Sequence, residues 1–431
     1  MSVQNDLKNW YCNHNYEQIC QFYDKIKNIN EIQLSEWDFV YIMNSLYKNN
    51  RYADCLTLYK VCKKNFNECS LLNDKMAWCV YHLYLKDFNF SKENRNDFFL
   101  KVEYVLRNVN DGKYSAVHYI VKLAVKAIFN RQTITDDDYN RANKYLDCVN
   151  YNELSQEDVI FESAKKTYNL ASDYEWWFVA KSKCLIKLER YEECIKICNE
   201  ALDSIKHFHT NSDSWLKYRK AWCLLELKQF HESKKSAEDI LHNRFRHWSI
   251  YNLLYEISVA TNNVSEAMKY AGECSLADKS HMMRVNFYES YANFLKAQNM
   301  TKKAMLHLHL STLIREENNW KTDSNNLLKI DEEILKLDKV ETLKRLKVFW
   351  EKNRDMDKVF MSGIISKISF PEKYGFVKAT KNNTQYYFNF RDLKCDSRRL
   401  SVGAKVRFVL EESFDKKRNI LRTNAIELSL D

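Results

Sequence analysis

Proline occurs once in the 431 residues and glycine five times, and only Gly112 and Gly272 precede residue 359. A chain that avoids both breakers for that long is dominated by helices. Scarce glycine also excludes a phosphate-binding loop, which needs several Cβ-free positions close together. No run of about 18 apolar residues occurs, and the start, from Met1 to Lys8, lacks a charged-then-apolar signal segment. These absences lead to the expectation of a cytosolic protein with no membrane partner. The thirteen cysteines include no Cys-x-x-Cys pair and no two-plus-two Cys/His layout, so neither a metal nor another cofactor is expected. Cys55, Cys62, Cys194, Cys198 and Cys274 instead fall on apolar helix faces, where a reduced thiol acts as a small hydrophobe. No His-Glu-x-x-His is present, and His207/His209 and His307/His309, two apart, point in different directions on a helix. With no catalytic constellation in view, the expectation is that the chain is not an enzyme.

What is present is a soluble globular composition, 45% hydrophobic and 29% charged, long enough for more than one domain. The net charge of +9 is uneven. From Val359 to Asp431 there are 14 Lys/Arg against 8 Asp/Glu, a net of +6, which leaves only +3 for the rest of the chain. A compact basic module is a natural partner for a polyanion.

Before residue 359 one pattern recurs: an aromatic or apolar residue, a small residue three on, and a core residue four further. It reads Tyr52/Cys55/Tyr59, Tyr139/Ala142/Leu146, Tyr191/Cys194/Cys198, Phe230/Ser233/Ala237, Val264/Ala267/Ala271 and, more loosely, Thr301/Ala304/Leu308. Spacings of three and four share one helical face. Each copy follows another amphipathic stretch, such as Trp176 to Leu188, Trp215 to Leu227 and Trp248 to Val259. Turns between them fall to Asn, Asp and Lys, as in Lys48-Asn49-Asn50-Arg51 and Thr261-Asn262-Asn263. Trp176-Trp177 reads as repeat packing, and Asp136-Asp137-Asp138 as a helix N-terminus favoured by the macrodipole. The pattern resembles the tetratricopeptide (TPR) repeat, a helix-turn-helix unit that stacks into a superhelix, and Phe230 to Val264 is its 34-residue interval. The resemblance is best from about 173 to 318 and fair from 36 to 65, with longer linkers between 86 and 172. No copy ends in proline, and the small position of the first helix holds Met43, Ser182, Ala221, Tyr255 or Ala292. Residues 325 to 354, with Leu328, Leu335, Val340, Leu343 and Leu346 spaced for one buried side, predict a single long helix capping the array.

After Asp357 the texture changes to short β-rich runs: Phe360 to Phe370, Tyr374 to Thr380, Gln385 to Phe390, Lys405 to Glu412 and Asn419 to Leu428. Five strands in about 70 residues suit a small closed barrel of OB type. Gly363-Ile-Ile-Ser-Lys-Ile, then Glu372-Lys373-Tyr374-Gly375-Phe376-Val377-Lys378, then Tyr386-Tyr387-Phe388-Asn389-Phe390, then Leu400 to Phe408 resemble the cold-shock domain over nearly all of 361 to 428. Two positions depart from that family: Lys367 stands where its first-strand tryptophan is expected, and Asn389 where its histidine is. Both changes remove stacking area, so weaker binding or a narrower site is expected.

The fold class expected is therefore multidomain, an all-α TPR-like superhelix plus a small all-β five-stranded OB/cold-shock barrel. The expected division is irregular repeats over 1–172, regular repeats over 173–324, a capping helix over 325–357 and the barrel over 358–431. Strand alternation sets Tyr374, Phe376 and Lys378 on one face, with Gly375 and Val377 on the other. Tyr387 and Asn389 share a face of the next strand. Stacking of bases on Tyr374, Phe376 and Tyr387, with Lys367, Lys373, Lys378 and Arg391 on phosphates, is the binding mode the resemblance implies, and Phe390 and Asn389 border it. Lys381 flanks the same platform. Gly375 would let a backbone or base approach closely. The aromatic residues also suit a barrel core, which is the reading adopted for Phe388 and Val377. The leading function is an adaptor whose barrel takes single-stranded RNA or DNA while a protein partner occupies the concave surface of the repeats. The alternatives are a purely protein-interaction scaffold with a barrel that has lost nucleic-acid binding, and RNA binding by the repeats themselves.

Overall fold

A computed structural model describes residues 3–27, 33–66, 68–91, 93–112, 115–163, 166–242, 245–278, 280–322, 330–415 and 420–430. Eighteen α-helices and seven strands lie in these segments. The chain divides into two compact units, Met1–Leu227 and Lys228–Asp431.

The first unit holds α1 (Val3–Cys12), α2 (Tyr16–Ile26), α3 (Glu36–Lys48), α4 (Tyr52–Phe66), α5 (Ser70–Val80), α6 (Arg95–Asn108), α7 (Val117–Phe129), α8 (Asp136–Asp147), α9 (Asp173–Lys187), α10 (Tyr191–Ser204) and α11 (Ser212–Glu226). The small residues of the repeat pattern sit where paired helices approach. The Cys55 thiol donates to the Met43 carbonyl at 3.6 Å, and the Cys194 thiol to the Ser182 carbonyl at 3.5 Å. Both bonds span twelve residues, so the two cysteines occupy equivalent places in their repeats. The thirteen cysteines are all free, and Cys55, Cys62, Cys194, Cys198 and Cys274 are buried. Trp177 is buried too and donates its indole N–H to the Leu146 carbonyl at 3.1 Å. The acidic triplet opens α8, where Thr135 and Asp138 form a reciprocal capping box. One element was not legible in the sequence: a hairpin of β1 (Val159–Ser163) and β2 (Lys166–Leu170) between α8 and α9.

The near-absence of glycine poses a problem at each helix end, because a helix commonly stops with a left-handed residue. Here His14, Asn50, Glu189, Lys228, Asn262, Asn299 and Asn319 take that role, with φ between 55° and 61°. At Asn50 the full cap is present: the Asn50 N–H reaches the Tyr47 carbonyl at 3.0 Å and the Arg51 N–H reaches Leu46 at 2.8 Å. The same pair of bonds recurs at Asn262, from Asn262 to Val259 and from Asn263 to Ser258. Asparagine tolerates this conformation best among residues with a Cβ, which explains its place in these turns.

The second unit holds α12 (Phe230–His242), α13 (Trp248–Ala260), α14 (Val264–Leu276), α15 (Val285–Ala297), α16 (Thr301–Glu317), α17 (Glu332–Leu335) and α18 (Lys339–Arg354). The single long helix expected over 325 to 354 is thus two helices broken at Lys336 to Asp338. Asp338 caps the second through the Glu341 N–H. The expected buried side is also corrected: Val340 and Leu335 are exposed, and the buried residues are Ile334, Thr342, Leu346, Trp350 and Asn353. Leu328 lies outside the described residues. Gly272 shows why α18 can seat on α14, since a Cβ there would stand 2.6 Å from the Trp350 carbonyl oxygen and 2.9 Å from the Arg354 nitrogen. Because α18 covers it, α16 is buried on several sides, and His307 and His309 are both interior despite pointing different ways.

The barrel follows: β3 (Phe360–Ser369), β4 (Tyr374–Ala379), β5 (Gln385–Asn389), β6 (Lys405–Asp415) and β7 (Ile420–Leu430). It closes in the order β3-β4-β5-β7-β6, all neighbours antiparallel except the parallel pair β5 and β7. Ile365, Val377, Phe388, Val406, Phe408 and Leu428 fill it. Lys358, just ahead of β3, ties the barrel to the helices of its own unit. Its ammonium lies 2.7 Å from Glu427, 3.1 Å from Asp355 and 3.5 Å from Glu273. Arg246 pairs with Glu411 at 3.2 Å.

Candidate nucleic-acid interface

The outer face of β4 and β5 is set by register. Phe376 stands opposite Tyr387, Tyr374 opposite Asn389, and Lys378 opposite Gln385. On the other side of β4, Phe376 pairs with Lys367 and Tyr374 with Ser369, after a bulge between Ile365 and Lys367. That bulge passes over Ser366 and turns Lys367 to the outer face, whereas strict alternation from the buried Ile365 would have turned it inward.

Three rings meet there. Tyr374 and Tyr387 stack with centroids 5.7 Å apart at 28°, and Phe376 meets Tyr374 edge-on at 5.9 Å and Tyr387 at 5.8 Å. All three are half-buried: each ring shields part of its neighbour and leaves an edge or face to solvent. Glu372 lies beside the Tyr374 hydroxyl and pushes its pKa up. The same carboxylate accepts from the Ser369 hydroxyl at 3.2 Å.

The cations are arranged around the rings. Lys367, Lys373, Lys378, Lys381 and Arg391 are all exposed, and none is in an ion pair with a described carboxylate. Lys394, Arg399, Lys405 and Arg407 are likewise in no ion pair with a described carboxylate, whereas Lys358 is surrounded by acids and Arg398 pairs with Asp396 at 2.7 Å. Lys373 has a left-handed backbone, φ 56°, in the β3–β4 turn, and its carbonyl accepts from the Phe390 N–H at 2.9 Å.

Two residues from the sequence reading are engaged structurally. Asn389 accepts from the Arg391 N–H at 3.1 Å, capping a short 3-10 turn over Phe390–Asp392, and its amide approaches the Tyr387 hydroxyl at 3.4 Å. Phe390 leans on the core, parallel to Phe388 at 6.4 Å, and meets Phe370 edge-on at 5.6 Å. The expectation for Gly375 holds for a close backbone, the Lys367 carbonyl, and not for a base. Its missing Cβ faces inward, where it would come within 2.7 Å of the Phe388 ring and of the Lys367 carbonyl, so the glycine makes room for a core ring.

Sequence reading also passed over Phe370, which is exposed beside Phe390, and Phe360, which lies under the Arg407 guanidinium at 5.1 Å. Their only signal was an aromatic residue at each end of the first strand. No group of three or more His, Cys, Asp or Glu side chains among the described residues could hold a metal ion. No helix among them is long and apolar enough to cross a membrane.

These features define a helical-repeat protein that carries a closed five-stranded β-barrel. No protein-family model matches the chain, and no curated protein does. Among solved structures it is similar to the C-terminal part of a TPR repeat-containing protein from Cytophaga hutchinsonii, at 13% identity over 68% of this chain and 99% of that one, TM-score 0.34. It is also similar to the human IFIT1 dimer with m7Gppp-AAAA, at 11% identity over 79% and 76% of the two chains, TM-score 0.35. A third is a Rap protein complexed with Competence and Sporulation Factor, at 10% identity over 81% and 97%, TM-score 0.27.

Proposed function

We propose that the chain is a non-enzymatic, cytosolic nucleic-acid-binding adaptor. Its barrel, read as a cold-shock variant of the OB fold, takes single-stranded RNA or DNA, and its helical repeats recruit a protein. The observation that carries the reading is the cluster of Tyr374, Phe376 and Tyr387 on one outer face, flanked by five exposed cations in no ion pair with a described carboxylate. Each base stacked on such a ring contributes about 1–3 kcal/mol. Each phosphate neutralised on a single strand steepens the salt dependence by about 0.7 in the log–log slope. Strand order supports the assignment: counted from β3 it is 1-2-3-5-4, and the rings lie on strands two and three, the face with which OB barrels hold oligonucleotides.

The competing scaffold reading needs these rings covered by helices. Their ring partners among the described residues are one another, and all three stay partly exposed, which favours the binding reading. Binding of RNA along the repeats is disfavoured by the near-neutral balance of the chain before Val359. The test is fluorescence anisotropy of the full chain with labelled single-stranded RNA, single-stranded DNA and duplex at about 50 and 300 mM salt. Single strands are expected to bind in a salt-dependent way and more tightly than duplex; binding that ignores salt, or prefers duplex, contradicts the proposal.

A further inference from the structure

A groove of about 730 Å³ opens between the first turns of α14 and α16 and the last turns of α18. Val264, Met268, Met300, Val348, Phe349 and Met356 line it. Val348 is 68% exposed and Met356 50%, so the apolar surface faces solvent instead of completing the core. An apolar patch of this kind on a folded unit marks an interaction site, and methionine lets such a surface adapt to what it receives.

Charge selects the occupant. Among the described residues the charged side chains on the groove are Lys303 and Lys352, and no described carboxylate lines it. Lys303 holds its ammonium 5.2 Å from the Phe349 ring centroid, at the groove wall. The acids nearby are committed elsewhere: Glu266 to Lys234 at 2.6 Å, Glu351 to Lys347 at 3.9 Å, Asp355 to Arg354 at 2.7 Å and Asp357 to Lys269 at 3.8 Å. The two lysines are in no ion pair with a described carboxylate. The walls are helices whose backbone groups are bonded within themselves, so strand addition has no edge to use. Side-chain anchors remain, the mode in which an amphipathic helix lies in a groove.

We infer that this groove docks an acidic amphipathic helix of another protein, its apolar stripe on the methionines and its carboxylates on Lys303 and Lys352. This deepens the protein-recruiting half of the proposed function and does not depend on the barrel. A second copy of the chain fits poorly, because α18 itself carries six Lys/Arg against two Glu and the whole chain is +9.

The test uses the full chain and two fluorescein-labelled helical peptides of about 16 residues. Both carry leucine at i, i+3/i+4 and i+7; one is flanked by glutamate, the other by lysine. The glutamate peptide is expected to bind at least about tenfold tighter than the lysine peptide, and to weaken with salt. Val348→Glu, at an exposed position, is expected to weaken it by about tenfold or more with an unchanged melting temperature. Lys303→Glu with Lys352→Glu is expected to reverse the preference. Absence of binding, equal affinity for the two peptides, insensitivity to Val348→Glu, or self-association through this face in light scattering each overturns the inference. Oligonucleotide affinity measured on the Val348→Glu protein separates the two halves: it is expected to stay unchanged, and its failure alone counts against the barrel.

Discussion

Trp350 of α18 donates its indole N–H to Nε2 of His307 in α16 across 2.8 Å, with both side chains buried. Tryptophan can only donate, so Nε2 accepts, and the imidazole proton sits on Nδ1, where it reaches the Lys303 carbonyl at 2.7 Å. The pair therefore specifies a neutral histidine, and burial lowers the His307 pKa to about 4.

A pH dependence of stability follows. The unfolded chain takes up this proton near pH 6.5, whereas the folded chain resists it until about 4. Stability from this site is complete above about pH 6.5 and is lost as pH falls towards 4, by roughly 3 kcal/mol. His281, stacked against Trp350 at 6.0 Å and itself lowered to about 4 by burial, acts in the same direction. Denaturant unfolding at pH 7 and pH 4.5 measures the drop, and His307→Gln, which keeps an acceptor for Trp350, is expected to reduce it.

The seat of α18 on α14 tolerates no side chain at Gly272. Gly272→Ala is expected to destabilise the second unit by about 1–3 kcal/mol, because the clash is with backbone that cannot rotate away. Gly112→Ala is the control: a Cβ there meets nothing within 4 Å, and the expected change is within about 0.5 kcal/mol.

The left-handed turns can be improved. Glu189 pays for its φ of 57° without the local hydrogen bonding that asparagine offers. Glu189→Gly is expected to raise stability by about 0.5–1 kcal/mol, and Glu189→Val to lower it, both readable as shifts in melting temperature.

How much of this the sequence displayed depends on the range of the interaction. Local periodicity located the helix pairs, so Cys55, Cys194, Ala267 and Ala271 are buried as their spacing required. The strands of the barrel were visible for the same reason: Val377 and Phe388 alternate inward, while Tyr374, Phe376 and Tyr387 alternate outward. Contacts distant in sequence were not visible. The break at Lys336 to Asp338 is a capping choice by Asp338 that a run of leucines conceals. Alternation turned Gly375 inward, but the Phe388 ring and Lys367 carbonyl that leave no room for a Cβ there belong to neighbouring strands, and no spacing rule encodes them. The hairpin at Val159–Leu170 was hidden inside an irregular stretch.

Lys378 tests the electrostatic part of the interface. It is exposed and lies next to Phe376 along β4. Lys378→Ala is expected to weaken oligonucleotide binding across all sequences alike and to reduce the salt slope by about 0.7 if it neutralises one phosphate. Titrations at several salt concentrations give that slope directly.

The most direct test of the central claim is the affinity of the full chain for a labelled single-stranded oligonucleotide with the rings removed. Tyr374→Ala combined with Phe376→Ala is expected to lower affinity by at least about tenfold while the protein stays folded and the salt slope is retained. Unchanged affinity in that folded variant would contradict an aromatic platform on the barrel as the binding site.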